Sequence, residues 1–185
     1  GLLAVSVDSF RDYQLKHAWV WEHQALTRAR FCAGDPAVGA RFEEIRCEIL
    51  CQQRDPAKLR EEVVAMRRKM VDAHASDSDS EFNLKHDPGG IVDVEFIVQY
   101  LVLGHAHRHQ RLTGNLGNIA LLRIAAELGL IPADQAKAAG DAYREYRRLQ
   151  HAKRLSANPR GRVERDSIAR HIAAVNMLWQ TVFAK

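Results

Sequence analysis

Apolar residues recur every three or four positions through almost the whole chain, and this spacing constrains the fold more than any other feature of the sequence. Near the carboxyl terminus, for example, Ile168, Ile172 and Val175 lie on one helical face. Aspartate followed by proline recurs where a new apolar series begins. This pair suits a helix start, because aspartate caps the first amides and proline fits the first turn. The pattern predicts an all-α fold, a helical bundle of about seven helices.

Proline, glycine and polar runs separate the predicted helices. We expect helices over about 8–32, from 36 onward, and over about 56–74, 88–108, 119–128, 132–155 and 166–183. Loops are expected at 75–83 and 156–165. The short apolar stretch at 2–7 has strand character but no second predicted strand to pair with. We therefore expect residues 1–7 to be the end of an upstream domain and residues 8–185 to be a helical domain.

The composition is that of an ordinary globular domain, with 46% hydrophobic and 27% charged residues among 185. The most apolar run, 91–103, is too short to span a membrane and contains two acids, so it predicts a buried helix. No leader sequence opens the chain and the three cysteines are an odd number, which favours a cytoplasmic protein with reduced thiols. The formal charge is only +4 and basic residues alternate with acids, so we expect neither nucleic-acid nor membrane binding.

Two clusters contain residue types that bind metals. The first lies in a predicted loop and consists of Asp77, Asp79 and Glu81. Phe82 stands where a calcium loop needs glycine, and a flexible serine-rich loop holds a metal poorly. The second cluster consists of His105, His107 and His109. Histidines in the last turn of a helix are also favoured by the helix dipole, so we expect no metal site in this chain.

A glycine pair at the start of the most apolar helix is unusual. Asp87 and Pro88 suit a helix start, yet Gly89 and Gly90 follow in the first turn, where each costs about 1 kcal/mol of helix propensity. One interpretation is a phosphate or nucleotide site, formed by exposed backbone amides together with Lys85. The other is close packing of a second helix against the glycines. The sequence leaves both interpretations open.

Glu95 lies inside the apolar run and is therefore expected to be buried. A buried carboxylate needs a basic partner, and the candidates are Arg28, Arg30 and Arg147. Removing one member of a buried pair costs about 3 to 5 kcal/mol, so Glu95 is predicted to be important for stability.

Polar residues on the helix at 132–155 form a candidate interaction face. Its members are Arg147, Gln150, His151 and Arg154. Most of the arginines of this helix are expected simply to face solvent.

Three segments together resemble one enzyme family. They are WEHQALTRAR at 21–30, KHDPGGIVDVEF at 85–96 and YREYRRLQHAKRL at 143–155, and their order and spacing match as well. They resemble the bifunctional glutamine synthetase adenylyltransferase/adenylyl-removing enzymes. The segment 118–130 is also similar, although Ile119 replaces the usual threonine, and 178–183 is similar to the family's carboxyl terminus.

The resemblance implies a protein of two halves, each with a nucleotidyltransferase core followed by a helical domain. The carboxyl-terminal half transfers AMP from ATP to a tyrosine of glutamine synthetase, and the amino-terminal half removes it by phosphorolysis. This chain is similar to the helical domain of the adenylylating half. The resemblance places the catalytic Gly-Ser motif and the metal-binding aspartates upstream of Gly1. We therefore expect no catalytic residue here, and ATP with Mg²⁺ only in the full-length enzyme.

The leading hypothesis is that the bundle packs against the upstream nucleotidyltransferase domain and helps form its ATP cleft. The residues proposed for this role are Lys85, Gly89, Gly90, Arg28 and Arg30. The resemblance also implies regulation by glutamine and by the PII signalling protein. Two alternatives are a pure docking or coupling module and the helical domain of the related PII uridylyltransferase.

Overall fold

The computed structural model describes residues 4–74, 78–155 and 161–184. This part of the chain forms eight α-helices and two short strands, which confirms the all-α prediction. In chain order the elements are α1 (Val7–Lys16), α2 (Val20–Leu26), α3 (Pro36–Leu50), α4 (Pro56–His74), β1 (Glu81–Asn83), α5 (Ile91–His105), α6 (Asn118–Glu127), α7 (Ala133–Leu155), β2 (Arg162–Glu164) and α8 (Ala169–Phe183).

The eighth helix arises because the first predicted helix is split in two. Helix α1 ends at Lys16 with His17 as its C-cap, and Trp19 adopts an extended conformation before α2 begins. The Glu22 carboxylate accepts the Trp19 amide at 2.8 Å and the Tyr13 hydroxyl at 2.8 Å. These two bonds cap α2 and tie it to α1, so the break is a structured corner.

The segment of strand character expected at the amino terminus pairs with no strand in the residues that the structure describes, although Ser6 has an extended backbone. Residues 2 and 3 lie outside the described part of the chain, and residues 4–6 belong to no strand. Ser6 is the N-cap of α1, since its hydroxyl accepts the Ser9 amide at 3.1 Å. Helix α1 therefore begins at Val7, inside the segment predicted to be a strand.

The two strands lie in segments that the sequence predicted to be loops. β1 and β2 pair antiparallel, with Phe82 opposite Val163. The Phe82 side chain is fully buried, and its ring lies 6.1 Å from that of Tyr146 on α7. One buried aromatic in a polar run is too weak a pattern to predict a strand, but it explains why this ribbon packs onto the bundle.

Helix α5 is the central element of the core. Ten of its fifteen residues are buried, and it contacts α2, α4, α6, α7 and α8. This agrees with the buried helix predicted from its composition. No helix in the described ranges is long and apolar enough to cross a membrane.

Candidate functional site

The glycine pair before α5 is required by packing. Gly89 has φ +92°, and a Cβ there would lie 2.9 Å from the Ile172 Cγ2 atom and 3.1 Å from the Asn176 side-chain oxygen on α8. A Cβ on Gly90 would lie 2.8 Å from the Leu84 carbonyl oxygen. Close packing of a second helix therefore accounts for Gly89, whereas Gly90 is required by the backbone of the preceding turn.

The backbone amides at this helix start are already occupied. The Gly89 amide donates to Asp93 Oδ2 at 2.5 Å and the Gly90 amide donates to the Asp87 carbonyl at 2.9 Å. The next two amides donate to the carbonyls of residues 84 and 85. Both glycines are also buried. The structure therefore corrects the phosphate interpretation of Gly89 and Gly90, because they offer no free amide to an anion.

Helix α5 consequently begins at Ile91, three residues later than Asp87 and Pro88 suggested. Gly90 is its N-cap, and the turn before it folds back on itself through the amides just described. Lys85 lies in this turn with an exposed side chain. Lys85 and the glycine amides therefore do not form a common anion-binding site.

The most deeply buried ion pair of the described chain joins Asp93 to Arg67 of α4. Their side chains are 6% and 3% exposed, and the Arg67 Nε donates to Asp93 Oδ1. Arg67 also donates to the His86 carbonyl at 2.9 Å. Burial raises the pKa of Asp93, and the Arg67 guanidinium opposes this shift. The pair therefore links α4 to the start of α5.

Sequence reasoning selected Glu95 as the buried acid and missed Asp93. The signal was available, because Asp93 stands four residues before the buried Ile97 and so shares its helical face. Its partner could not be identified from the sequence, since Arg67 lies on another helix and is one of many arginines.

Glu95 is only partly buried, with a side chain that is 21% exposed. Its Oε1 atom accepts from Arg28 Nη1 at 2.7 Å and from the Tyr143 hydroxyl at 3.3 Å. The expected contact with Arg28 is thus present, but the expected inaccessibility is not. The reason is that Glu95 lies behind a cleft that opens to solvent.

This cleft has a volume of about 520 Å³ and is referred to below as the arginine cleft. Its walls are the segment after α2, the turn before α6, and α7. The lining residues are Arg28, Arg30, Asn115, Leu116, Gly117, Asn118, Ile119, Tyr143 and Arg147. The Asn115 side chain donates to the Ala29 carbonyl at 3.3 Å and so joins two of the walls.

The arginine cleft brings together three candidates that the sequence could name only separately: Arg28, Arg30 and Arg147. Lys85, Gly89 and Gly90 are not among its lining residues. Burial lowers the pKa of Arg28, but the Glu95 carboxylate outweighs this effect and the net shift is upward. Burial, followed by the charge of Glu95, raises the pKa of Tyr143. Glu95 therefore favours the charged form of Arg28.

The four residues predicted to form an interaction face on α7 do not share one surface. Gln150 is buried and accepts from Arg147 Nη1 at 3.3 Å, so it cannot belong to an exposed face. His151 and Arg154 are exposed but do not line the arginine cleft. Only Arg147 of this set contributes to the cleft.

The metal-type clusters lie apart from the arginine cleft. Asp77 falls outside the described residues, and Glu81 pairs with Arg162 across the β ribbon at 3.3 Å. His105 is the last residue of α5, and His107 and His109 follow it. Across residues 4–74, 78–155 and 161–184 there is no group of three or more metal-ligand side chains.

Two family models of known proteins match this chain. Residues 57–178, well over half of the chain, match the family model described as GlnD PII-uridylyltransferase. The chain therefore belongs to the GlnD PII-uridylyltransferase family. Residues 1–45 match a second model, described as Glutamate-ammonia ligase adenylyltransferase.

Similar full-length proteins carry a more particular name, bifunctional glutamine synthetase adenylyltransferase/adenylyl-removing enzyme. Identity is 64% to the protein from Aromatoleum aromaticum, 58% to that from Bordetella bronchiseptica and 53% to that from Nitrosomonas eutropha. The matches cover 98% to 99% of this chain but only 19% to 21% of those proteins. The resemblance seen in the sequence is confirmed, and the chain spans about a fifth of the length of these relatives.

Proposed function

We propose that this chain is the accessory helical domain of the adenylylating half of a glutamine synthetase adenylyltransferase. In this role it supports AMP transfer from ATP to a tyrosine of glutamine synthetase. Similarity over nearly the whole chain to enzymes of that name supports the proposal. The upstream nucleotidyltransferase domain would supply the catalytic residues and hold ATP with Mg²⁺.

The observation that carries the proposal is the arginine cleft. Arg28, Arg30 and Arg147 reach it from separate parts of the chain and face solvent. Nucleotidyl transfer depends on positioning phosphates and on stabilising their negative charge, and guanidinium groups do both. The cleft is therefore the part of the bundle best suited to assist such a reaction. Regulation by glutamine and by the PII signalling protein belongs to the same proposal.

A docking or coupling module is the second candidate function. The occupied amides of Gly89 and Gly90 favour it, because they make the glycine segment a packing element. The exposed Trp19 and Trp21, at 68% and 51%, also suit contact with another domain. In this alternative the arginine cleft contributes nothing to the reaction.

The test compares the full-length enzyme with a version that ends before Val7. Both AMP transfer to glutamine synthetase and removal of AMP are measured. We expect loss of transfer with retention of removal, since each half has its own catalytic core. Retained removal shows that the shortened enzyme is folded, and transfer at more than half the full-length rate would refute the proposal.

Full-length Arg30→Gln and Arg147→Gln separate the accessory role from the docking alternative. A role in the reaction predicts slower transfer at saturating substrate. A docking role predicts unchanged transfer.

A further inference from the structure

We propose that the arginine cleft is a binding site for a dianionic phosphate group, such as the phosphate of a nucleotide or inorganic phosphate. The proposal concerns binding by this chain alone. Such binding does not depend on AMP transfer.

The cleft carries excess positive charge. Neither Arg30 nor Arg147 has a carboxylate within 4.0 Å in the described ranges, and Glu95 is the one described carboxylate that pairs with Arg28. Three guanidinium groups against one carboxylate leave an excess of two positive charges. A phosphate monoester carries about −1.5 to −2 at pH 7, so one bound phosphate would neutralise the cleft.

Ion pairing within the described chain does not explain this arrangement. Other arginines of the chain have evident structural contacts: Arg46 is buried against Glu43 and the Thr113 carbonyl, and Arg67 is buried against Asp93. Arg30 and Arg147 are exposed and form no ion pair in the described chain. Like charges that line one cleft repel each other, and an anion bound between them offsets this repulsion.

The turn before α6 adds a second feature that favours anions. Gly117 is the N-cap of this ten-residue helix, and no side chain accepts a hydrogen bond at its start. Gly117 and Asn118 both line the arginine cleft. The start of α6, which is the positive end of its dipole, therefore lines the same cleft as the three arginines, and guanidinium pairs well with two phosphate oxygens at once. A volume of about 520 Å³ is large enough to admit a nucleotide as well as free phosphate.

Glu95 provides a specific test of phosphate binding in the arginine cleft. It holds Arg28 at 2.7 Å and is the one carboxylate of the described chain that contacts a cleft arginine. An incoming phosphate must share Arg28 with this carboxylate and is repelled by it. Glu95→Gln should therefore strengthen phosphate binding about fivefold, whereas a residue of purely structural importance would weaken it or have no effect.

The experiment measures binding to the 185-residue chain by titration calorimetry at low salt. The probes are inorganic phosphate, tripolyphosphate, ATP and adenosine. We expect Arg30→Gln and Arg147→Gln each to weaken binding of the phosphate probes about tenfold. The matched control is Arg68→Gln, which removes the same charge from an exposed position on α4 outside the cleft and should change binding less than twofold.

The probes distinguish the two sources of the phosphate. Tighter binding of ATP than of tripolyphosphate would identify a nucleotide, and equal binding would identify the phosphate group alone; both outcomes support the site. Adenosine bound as tightly as ATP, an equal loss in Arg68→Gln, or no phosphate binding at millimolar concentration would overturn it. A melting temperature equal to wild type is expected for Arg30→Gln, which loses no ion pair in the described structure, and a slightly lower one for Arg147→Gln, which loses the 3.3 Å hydrogen bond to Gln150.

Failure of this proposal is distinct from failure of the proposed function. A chain that binds no phosphate could still support AMP transfer through its packing against the catalytic domain. Conversely, a chain that binds phosphate while the shortened enzyme keeps its transfer activity would leave the site in place and refute only the accessory role.

Discussion

Replacing Asp93 by alanine is predicted to destabilise the chain far more than replacing Glu95. Asp93→Ala leaves the Arg67 guanidinium, whose side chain is 3% exposed, without its partner. The Gly89 amide also loses its acceptor, Asp93 Oδ2 at 2.5 Å. Removing one member of a buried pair costs about 3 to 5 kcal/mol, which is a large fraction of the stability of an ordinary domain.

The Glu95 pair serves as the internal comparison. The Arg28 side chain is 53% exposed, and solvent-exposed ion pairs contribute about 1 kcal/mol or less. Glu95→Ala should therefore cost far less than the 3 to 5 kcal/mol that full burial would imply. The difference arises because a freed Arg28 is hydrated, whereas a freed Arg67 remains in the core.

Urea unfolding of the chain, followed by circular dichroism, measures both effects as changes in the free energy of unfolding. The double variant Arg67→Met/Asp93→Leu is the control, since it leaves no unpaired charge in the core, although the Gly89 amide still loses its acceptor. We expect it to be clearly more stable than Asp93→Ala. The reasoning would be refuted by Asp93→Ala costing less than about 1 kcal/mol, or by equal costs for the Asp93 and Glu95 variants.

Three further predictions concern pH, packing and activity. Burial lowers the pKa of His23 below its ordinary 6.5, so the unfolded chain binds more protons and the free energy of unfolding falls as pH drops below about 6.5. His23→Gln should reduce this loss, measured by urea titrations at pH 7 and 5.5. The control His17→Gln, at an exposed position, should not reduce it. Gly89→Ala should lower the melting temperature more than Gly129→Ala, because both have positive φ but only Gly89 has a neighbour within 4 Å of the added Cβ. The isolated chain should transfer no AMP from labelled ATP to glutamine synthetase, and labelled glutamine synthetase would contradict the accessory role.

The first residue of a helix could be predicted from the sequence where neighbouring residues alone determine it. Helices α3 and α4 begin at Pro36 and Pro56, directly after the aspartates that mark them. The same device failed at Pro88, because Gly89 takes a positive φ and the amides bond back to the preceding turn. That outcome depends on the contact with α8, which no local pattern contains.

The candidate site was predictable only in its parts. Arg28 and Arg30 could be named as basic candidates in the segment 21–30, and Arg147 from its place on a polar helix face. Their convergence depends on how the segment after α2 lies against α7. The pairing of Arg67 with Asp93 was missed for the same reason, since the two residues are 26 positions apart and lie on different helices.

The small β ribbon has a consequence for the order in which the chain folds. It joins Glu81 to Glu164, so α5, α6 and α7 all lie within the loop that it closes. Closing a loop of this length costs about 4 kcal/mol of chain entropy, more than two three-residue strands can recover alone. The helices must therefore first bring the two ends together, and the ribbon should be among the last parts of the native structure to form.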